Sequence, residues 1–106
     1  MQTLSFTHKR GDTFEAVTFK INIDSVPMDL TGATVRMQLR KEAAAPVVFT
    51  PTITITDADG GQFRIDKQII DINACTYKYD IEIEEANGDV WTWVSGLFTI
   101  TNDITR

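Results

Sequence analysis

One histidine, His8, and one cysteine, Cys75, are the residues of this 106-residue chain that could form a thiol–imidazole pair. Such a pair performs acyl-transfer chemistry when the imidazole removes the thiol proton and a third group orients the ring. Nothing in the spacing orients His8 toward Cys75. No Gly-x-Ser-x-Gly, phosphate-binding loop, HExxH or CxxC pattern occurs. The plainer reading makes Cys75 a small apolar residue at the start of a strand and His8 a structural residue of an early strand. Asp57-Ala58-Asp59-Gly60 resembles the start of a calcium loop, but a third oxygen ligand before the glycine and a later bidentate Glu are missing. A turn that uses Asp and Gly is favoured there. A weak surface cation site at Asp57 and Asp59 stays open at this stage. No enzyme, no cofactor and no resident metal are expected.

Two further groups carry recognition rather than catalysis. Arg10-Gly11-Asp12 reads as an adhesion ligand out of context. It falls between two strand patterns, however, where Gly11 supplies backbone freedom and Asp12 can accept from nearby amides, so a turn is expected. Trp91 and Trp93 alternate with Val90, Thr92 and Val94. If Val94, Gly96, Phe98 and Ile100 face the core in one register, both tryptophans face outward and suit a protein or sugar contact. A bulge, for which Ser95-Gly96 is a candidate, would instead turn one or both into the core. Both alternatives stand on sequence grounds. Arg36, Gln38 and Arg40 alternate along one segment, and Asp80, Glu82 and Glu84 along another. On neighbouring antiparallel strands these rows would meet as opposite charges on a solvated face. Trp91, Trp93, Arg36 and Arg40 are therefore the candidate interaction surface.

The elements that must position these residues are strands. Val35, Met37 and Leu39 alternate with Thr34, Arg36, Gln38 and Arg40, and Tyr77, Tyr79, Ile81 and Ile83 with Lys78, Asp80, Glu82 and Glu84. Val17, Phe19, Ile21 and Ile23 form a third such row. Period two means half-buried strands of an antiparallel sheet. Turn residues separate the runs: Pro27 to Gly32, the DADGG segment 57–61, and Asn87-Gly88, which predicts a type I′ hairpin. Strands are expected at roughly 3–8, 13–23, 33–40, 47–56, 61–66, 76–85 and 89–101. Segment 41–46 reads as a loop, and 66–75 as a crossing that includes a helical turn. The sum is an all-β, immunoglobulin-like β-sandwich of about seven antiparallel strands in one domain, 1–106, without a disulfide.

Composition agrees with a packed domain: 42% hydrophobic and 24% charged, with a net charge of −5. The acidic balance argues against nucleic-acid binding and against anionic membranes. The first residues hold no apolar run fit for a signal peptide, and no later run is long enough for a membrane span. A soluble protein made in the cytosol is expected.

Four motifs in order carry a resemblance. They are Arg10-Gly11-Asp12-Thr13-Phe14 opening a strand, Asp29-Leu30-Thr31-Gly32-Ala33 before the third strand, Tyr77-x-Tyr79-Asp80-Ile81, and Ser95-Gly96-x-Phe98-x-Ile100 followed by Asp103-Ile104-Thr105-Arg106. Together they resemble the small immunoglobulin-like domain of tailed bacteriophages and prophages. The chain is similar to the N-terminal domain of the phage baseplate upper protein and to short standalone tail proteins. The resemblance implies a virion structural part, an assembly adaptor of the tail or baseplate. Its implied partners are other tail or baseplate proteins and a second copy of itself. Larger baseplate proteins continue into further domains, so receptor binding by those domains is not implied here. The alternative is a carbohydrate-binding or adhesion module that uses Trp91 and Trp93.

Overall fold

The structure, a computed structural model, describes residues 2–102, so the Asp103–Arg106 part of the last motif lies outside the described residues. It is an all-β sandwich. The larger sheet is built around three strands, β7 (Thr34–Arg40), β12 (Cys75–Glu84) and β13 (Val90–Thr101), paired antiparallel in the order β13-β12-β7. β8 (Val47–Phe49) extends it beyond β7. β1 (Gln2–Thr3) and β2 (Phe6–Lys9) both lie on β13, and both run parallel to it. The smaller sheet is β4 (Val17–Lys20), β10 (Gln62–Ile65) and β9 (Ile53–Asp57), antiparallel in the order β4-β10-β9. β3 (Thr13–Phe14) with β11 (Gln68–Ile69), and β5 (Asn22–Ile23) with β6 (Val26–Pro27), form two short ribbons.

The alternation predicted for β7 and β12 is the alternation observed. Val35, Met37, Leu39, Tyr77, Tyr79, Ile81 and Ile83 are all buried. They meet Phe63 and Ile65 of the smaller sheet in one core with Ile21, Leu30 and Ile70. At one end Phe6, Phe14, Tyr79 and Phe98 form an aromatic cluster, with Phe6 stacked on Phe98 at 5.2 Å and edge-on to Phe14 at 5.9 Å. Such ring pairs add about 0.5–1.5 kcal/mol each beyond their buried area. The buried phenols are satisfied: Tyr77 donates to the Asn73 carbonyl at 2.6 Å, and Tyr79 to the Leu4 carbonyl. No helix among the described residues is long and apolar enough to cross a membrane.

Five expectations change. The predicted strand 3–8 is two short strands, β1 and β2, and both pair parallel with β13 rather than antiparallel. The predicted strand 47–56 is two strands in different sheets, because Pro51, buried between them, has no N–H for a ladder. The predicted strand 13–23 divides into β3, β4 and β5, and Ile23 is 54% exposed rather than inward. It sits at a tight hairpin whose central residues, Asp24 and Ser25, both have positive φ, 52° and 67°. That is the backbone expected at Asn87-Gly88, where only Gly88 has positive φ (94°). The turn there is instead closed by Gly88 N–H to the Glu85 carbonyl and Glu85 N–H to the Asp89 carbonyl. Finally, 66–75 holds no helical turn. β11 pairs with β3, and Ile70 enters the core.

Candidate functional site

The outer face of β7, β12 and β13 follows from the pairing registers. Arg36 stands opposite Glu82, and Thr92 flanks Glu82 on the other side. Arg36 Nε donates to Glu82 Oε1 at 2.9 Å, its Nη2 reaches the same oxygen at 2.5 Å, and its Nη1 reaches Glu84 Oε1 at 3.2 Å. The expected meeting of the two charge rows is therefore observed at this end. It fails at the other end. Asp80 stands opposite Gln38, and Arg40 opposite Lys78, which places two cations side by side. Arg40 turns instead to the Ala45 carbonyl and to Gln38 Oε1, and Lys78 reaches Glu42 at 3.1 Å. Crowding by the surrounding sheet face and then the charge of Glu82 raise the Asp80 carboxyl above its usual range, against a smaller pull from Arg40.

The tryptophans lie on the other side of the sheet. Ile81 faces Val94 but Glu82 faces Thr92, so Trp93 is an extra residue in β13. This β-bulge inverts the side-chain parity on its two sides. Val94, Phe98 and Ile100 point inward beyond it, and Trp91, opposite buried Ile83, packs against the core before it. Trp93 stands edge-on to Phe19 at 5.5 Å and to Phe63 at 5.6 Å, bridging the two sheets. The outward-facing alternative is thus overturned, and the bulge lies upstream of Ser95-Gly96. Arg36 and Arg40 remain on the outer face while Trp91 and Trp93 do not join them. Lys78, Ser95 and Leu97 complete that face beside Arg40 and Asp80. Their juxtaposition depends on two registers at once, which alternation within each strand does not reveal.

The remaining candidates make local contacts. His8 Nε2 donates to the Asp12 carbonyl at 2.9 Å, and the ring stands edge-on to Phe14 at 5.4 Å. His8 and Cys75 both pair with Ile100, from opposite sides, which separates their backbones by two strand spacings, about 10 Å. The half-buried thiol has only a weak contact to the Thr76 carbonyl. Arg10-Gly11-Asp12 forms the expected turn between β2 and β3. Gly11 has φ 82°, and the three amides donate to the carbonyls of Thr101, Ile70 and Lys9. Arg10 Nε reaches Asp71 at 3.0 Å. Asp57 Oδ1 accepts from the Gly60 amide at 3.1 Å, as a turn residue does, and Asp59 accepts from the Thr31 hydroxyl at 3.4 Å, which links two loops. No cluster of three His, Cys, Asp or Glu side chains suited to a metal ion occurs among the described residues.

The Asp29–Ala33 motif also has a local cause. Asp29 accepts the Thr31 amide at 2.9 Å, and hydrogen bonding first to the Thr31 side chain and then to this amide holds its carboxyl below the usual range. Gly32 takes φ 75°, and the Leu30 amide ties the turn to the Ala58 carbonyl at 2.8 Å.

The sequence model of the BppU N-terminal domain, a domain of the phage baseplate upper protein, matches residues 3–103. The chain belongs to this family. Three of the four motifs lie wholly within the matched span and the described sandwich; the last runs past residue 103. No curated protein matches the chain. Among solved structures it is similar to CopC from Methylosinus trichosporium OB3b, at 8% identity and a TM-score of 0.52 over 92% of this chain and 84% of that one. It is also similar to PcoC, a copper resistance protein from Escherichia coli, at 11% identity and a TM-score of 0.46 over 91% of this chain and 90% of that one. The CopC likeness concerns the fold alone.

Proposed function

We propose that this BppU N-terminal domain is a non-enzymatic structural component of a phage or prophage tail or baseplate, working as an assembly adaptor. The family match across residues 3–103 is the observation that carries this reading. The surfaces available for docking support it. The larger sheet ends at β8, where Val47 and Val48 are 38% and 41% exposed. A short open edge of this kind offers backbone groups and apolar contacts to a neighbouring chain. Arg36 and Arg40 would meet that neighbour from the adjoining outer face. Synthesis in the host cytoplasm followed by incorporation into the virion belongs to the same reading. The carbohydrate or adhesion alternative depended on outward tryptophans, and the bulge at Trp93 removes that basis.

The test is co-expression with the proteins of the neighbouring tail genes, read by size-exclusion chromatography with light scattering. A defined complex that is lost in Arg36→Glu or Val48→Asp is the expected result. A lone monomer in the presence of every neighbouring tail protein would overturn the reading.

A further inference from the structure

The outer face of the larger sheet holds a cleft of about 350 Å³ at the end away from the Arg36 ladder. Its floor is two cross-strand rows: Arg40, Lys78 and Leu97 in one, Gln38, Asp80 and Ser95 in the next. One wall is the 41–46 loop, which contributes Ala43. Two contacts tie that loop to the floor: the Arg40 guanidinium to the Ala45 carbonyl, and Lys78 to Glu42 at 3.1 Å. The cleft is therefore formed before anything enters it, and its size falls in the lower range of small-molecule sites.

The hydrogen-bonding inventory defines what would fit. The Asp80 carboxylate and the Ser95 hydroxyl have no hydrogen-bond or ion-pair partner among the described residues. Gln38 gives its oxygen to Arg40 at 3.1 Å, which leaves the amide NH₂ free to donate. Lys78 has three N–H donors and one carboxylate neighbour, Glu42. Free acceptors and free donors thus stand side by side on adjacent strands. Arg40, Lys78 and Asp80 line the cleft, and Glu42, paired with Lys78 from the wall loop, offsets the second cation. A charged ligand of either sign therefore meets a like charge in the floor. Leu97, 45% exposed in the same floor, adds an apolar surface.

We propose that this cleft is a binding site for one neutral pyranose ring. Neighbouring ring hydroxyls are each donor and acceptor. One can donate to Asp80 while it accepts from Lys78, and the next can donate to Ser95 while it accepts from the Gln38 amide. The C–H face of the ring rests on Leu97 and Ala43. The hydrogen bonds to charged groups supply most of the orientation. One ring in an open cleft binds in the millimolar range. The site is independent of the assembly reading, because it rests on cleft geometry and not on the family.

The experiment is a titration of the isotope-labelled full chain with glucose, galactose, N-acetylglucosamine and rhamnose, followed by amide NMR spectra. Glutamate and putrescine serve as charged probes. Saturable shifts centred on Gln38, Lys78, Asp80, Ser95 and Leu97 are expected with at least one sugar and with neither charged probe. Asp80→Ala should weaken binding about tenfold with the fold intact, and Ser95→Ala should weaken it to a smaller degree. No saturable shift with any of the four sugars would overturn the proposal. So would stronger binding of a charged probe, or sugar binding unchanged in both variants. None of those outcomes would touch complex formation with tail proteins, which tests the assembly reading separately.

Discussion

Leu4 crosses the inner side of Gly96 so closely that a Cβ at residue 96 would fall on the Leu4 carbonyl oxygen. Tyr79, opposite Gly96 on β12, donates its phenol hydrogen to that same oxygen. The Leu4 amide donates in turn to the Ser95 carbonyl at 3.1 Å. One glycine thus lets the chain pass from β1 to β2 while staying parallel to β13.

Gly96→Ala should push this crossing away from β13. Overpacking against backbone, which cannot rotate aside, costs about 1–3 kcal/mol. Denaturant melting should show the loss, and hydrogen exchange should show faster exchange of the Leu4 amide. Unchanged stability with unchanged Leu4 protection would contradict this packing.

Tyr79 links the same contact to alkaline pH. Burial pushes its phenol up to about 12, above the ordinary 10, and burial raises Tyr77 in the same direction. The folded state keeps the Tyr79 proton while the unfolded chain releases it near pH 10. The stabilising contribution is complete below pH 10 and disappears as pH rises through 12. Melting temperatures recorded from pH 9 to 12 should fall across this window, and Tyr79→Phe should fall less steeply from a lower starting point.

Asp80 has the opposite consequence near the acid end. Its raised carboxyl means that the folded state holds the proton more tightly than the unfolded chain does. Stability therefore decreases as pH rises above the ordinary carboxylate value and the group ionises. Asp80→Asn should raise the melting temperature at pH 7 and leave it unchanged at pH 3. A lower melting temperature at pH 7 would show that attraction from Arg40 outweighs crowding and Glu82.

Trp93 bridges the sheets through Phe19 and Phe63, so its removal should act as a core mutation. Trp93→Ala is expected to cost about 2–3 kcal/mol, less than a fully buried tryptophan. Urea unfolding should show a lower midpoint with an unchanged slope. A loss within experimental error would mean that the ring contributes only to the surface.

Arg36 is half-exposed, and its pairs with Glu82 and Glu84 are open to screening. Arg36→Ala should lower the melting temperature modestly in low salt, because two carboxylates then lie uncompensated on one strand. The gap from the parent protein should narrow in 1 M salt, an ionic strength at which the Debye length is about 3 Å. A gap that does not respond to salt would locate the effect in packing of the side-chain stem.

Much of this architecture is written in short-range pattern. Alternation along 34–40 and 75–84 determines which residues of β7 and β12 are buried, because side chains alternate strictly and only one face of each strand meets the core. Gly11 marks a turn because the chain reverses there through positive φ, which glycine adopts without strain. The order of the motifs was enough for the family. The break at Pro51 was not read, since one strand was expected over 47–56, and neither was the transfer of the chain to the second sheet that follows it. That depends on which sheet has an open edge.

What the chain by itself determined is therefore the all-β class, the core faces of β7 and β12 and the family. Tertiary structure alone decided where Trp91 and Trp93 point and which charges meet. A one-residue bulge reverses every side chain beyond it, and β13 can absorb that residue at any of several positions. At Trp93 the extra residue turns its ring edge-on to the Phe19–Phe63 ring pair of the opposite sheet. Pairing register likewise sets Arg36 against Glu82 but Arg40 against Lys78, since the hydrophobic faces lock first and the outer charges accept the partners that remain.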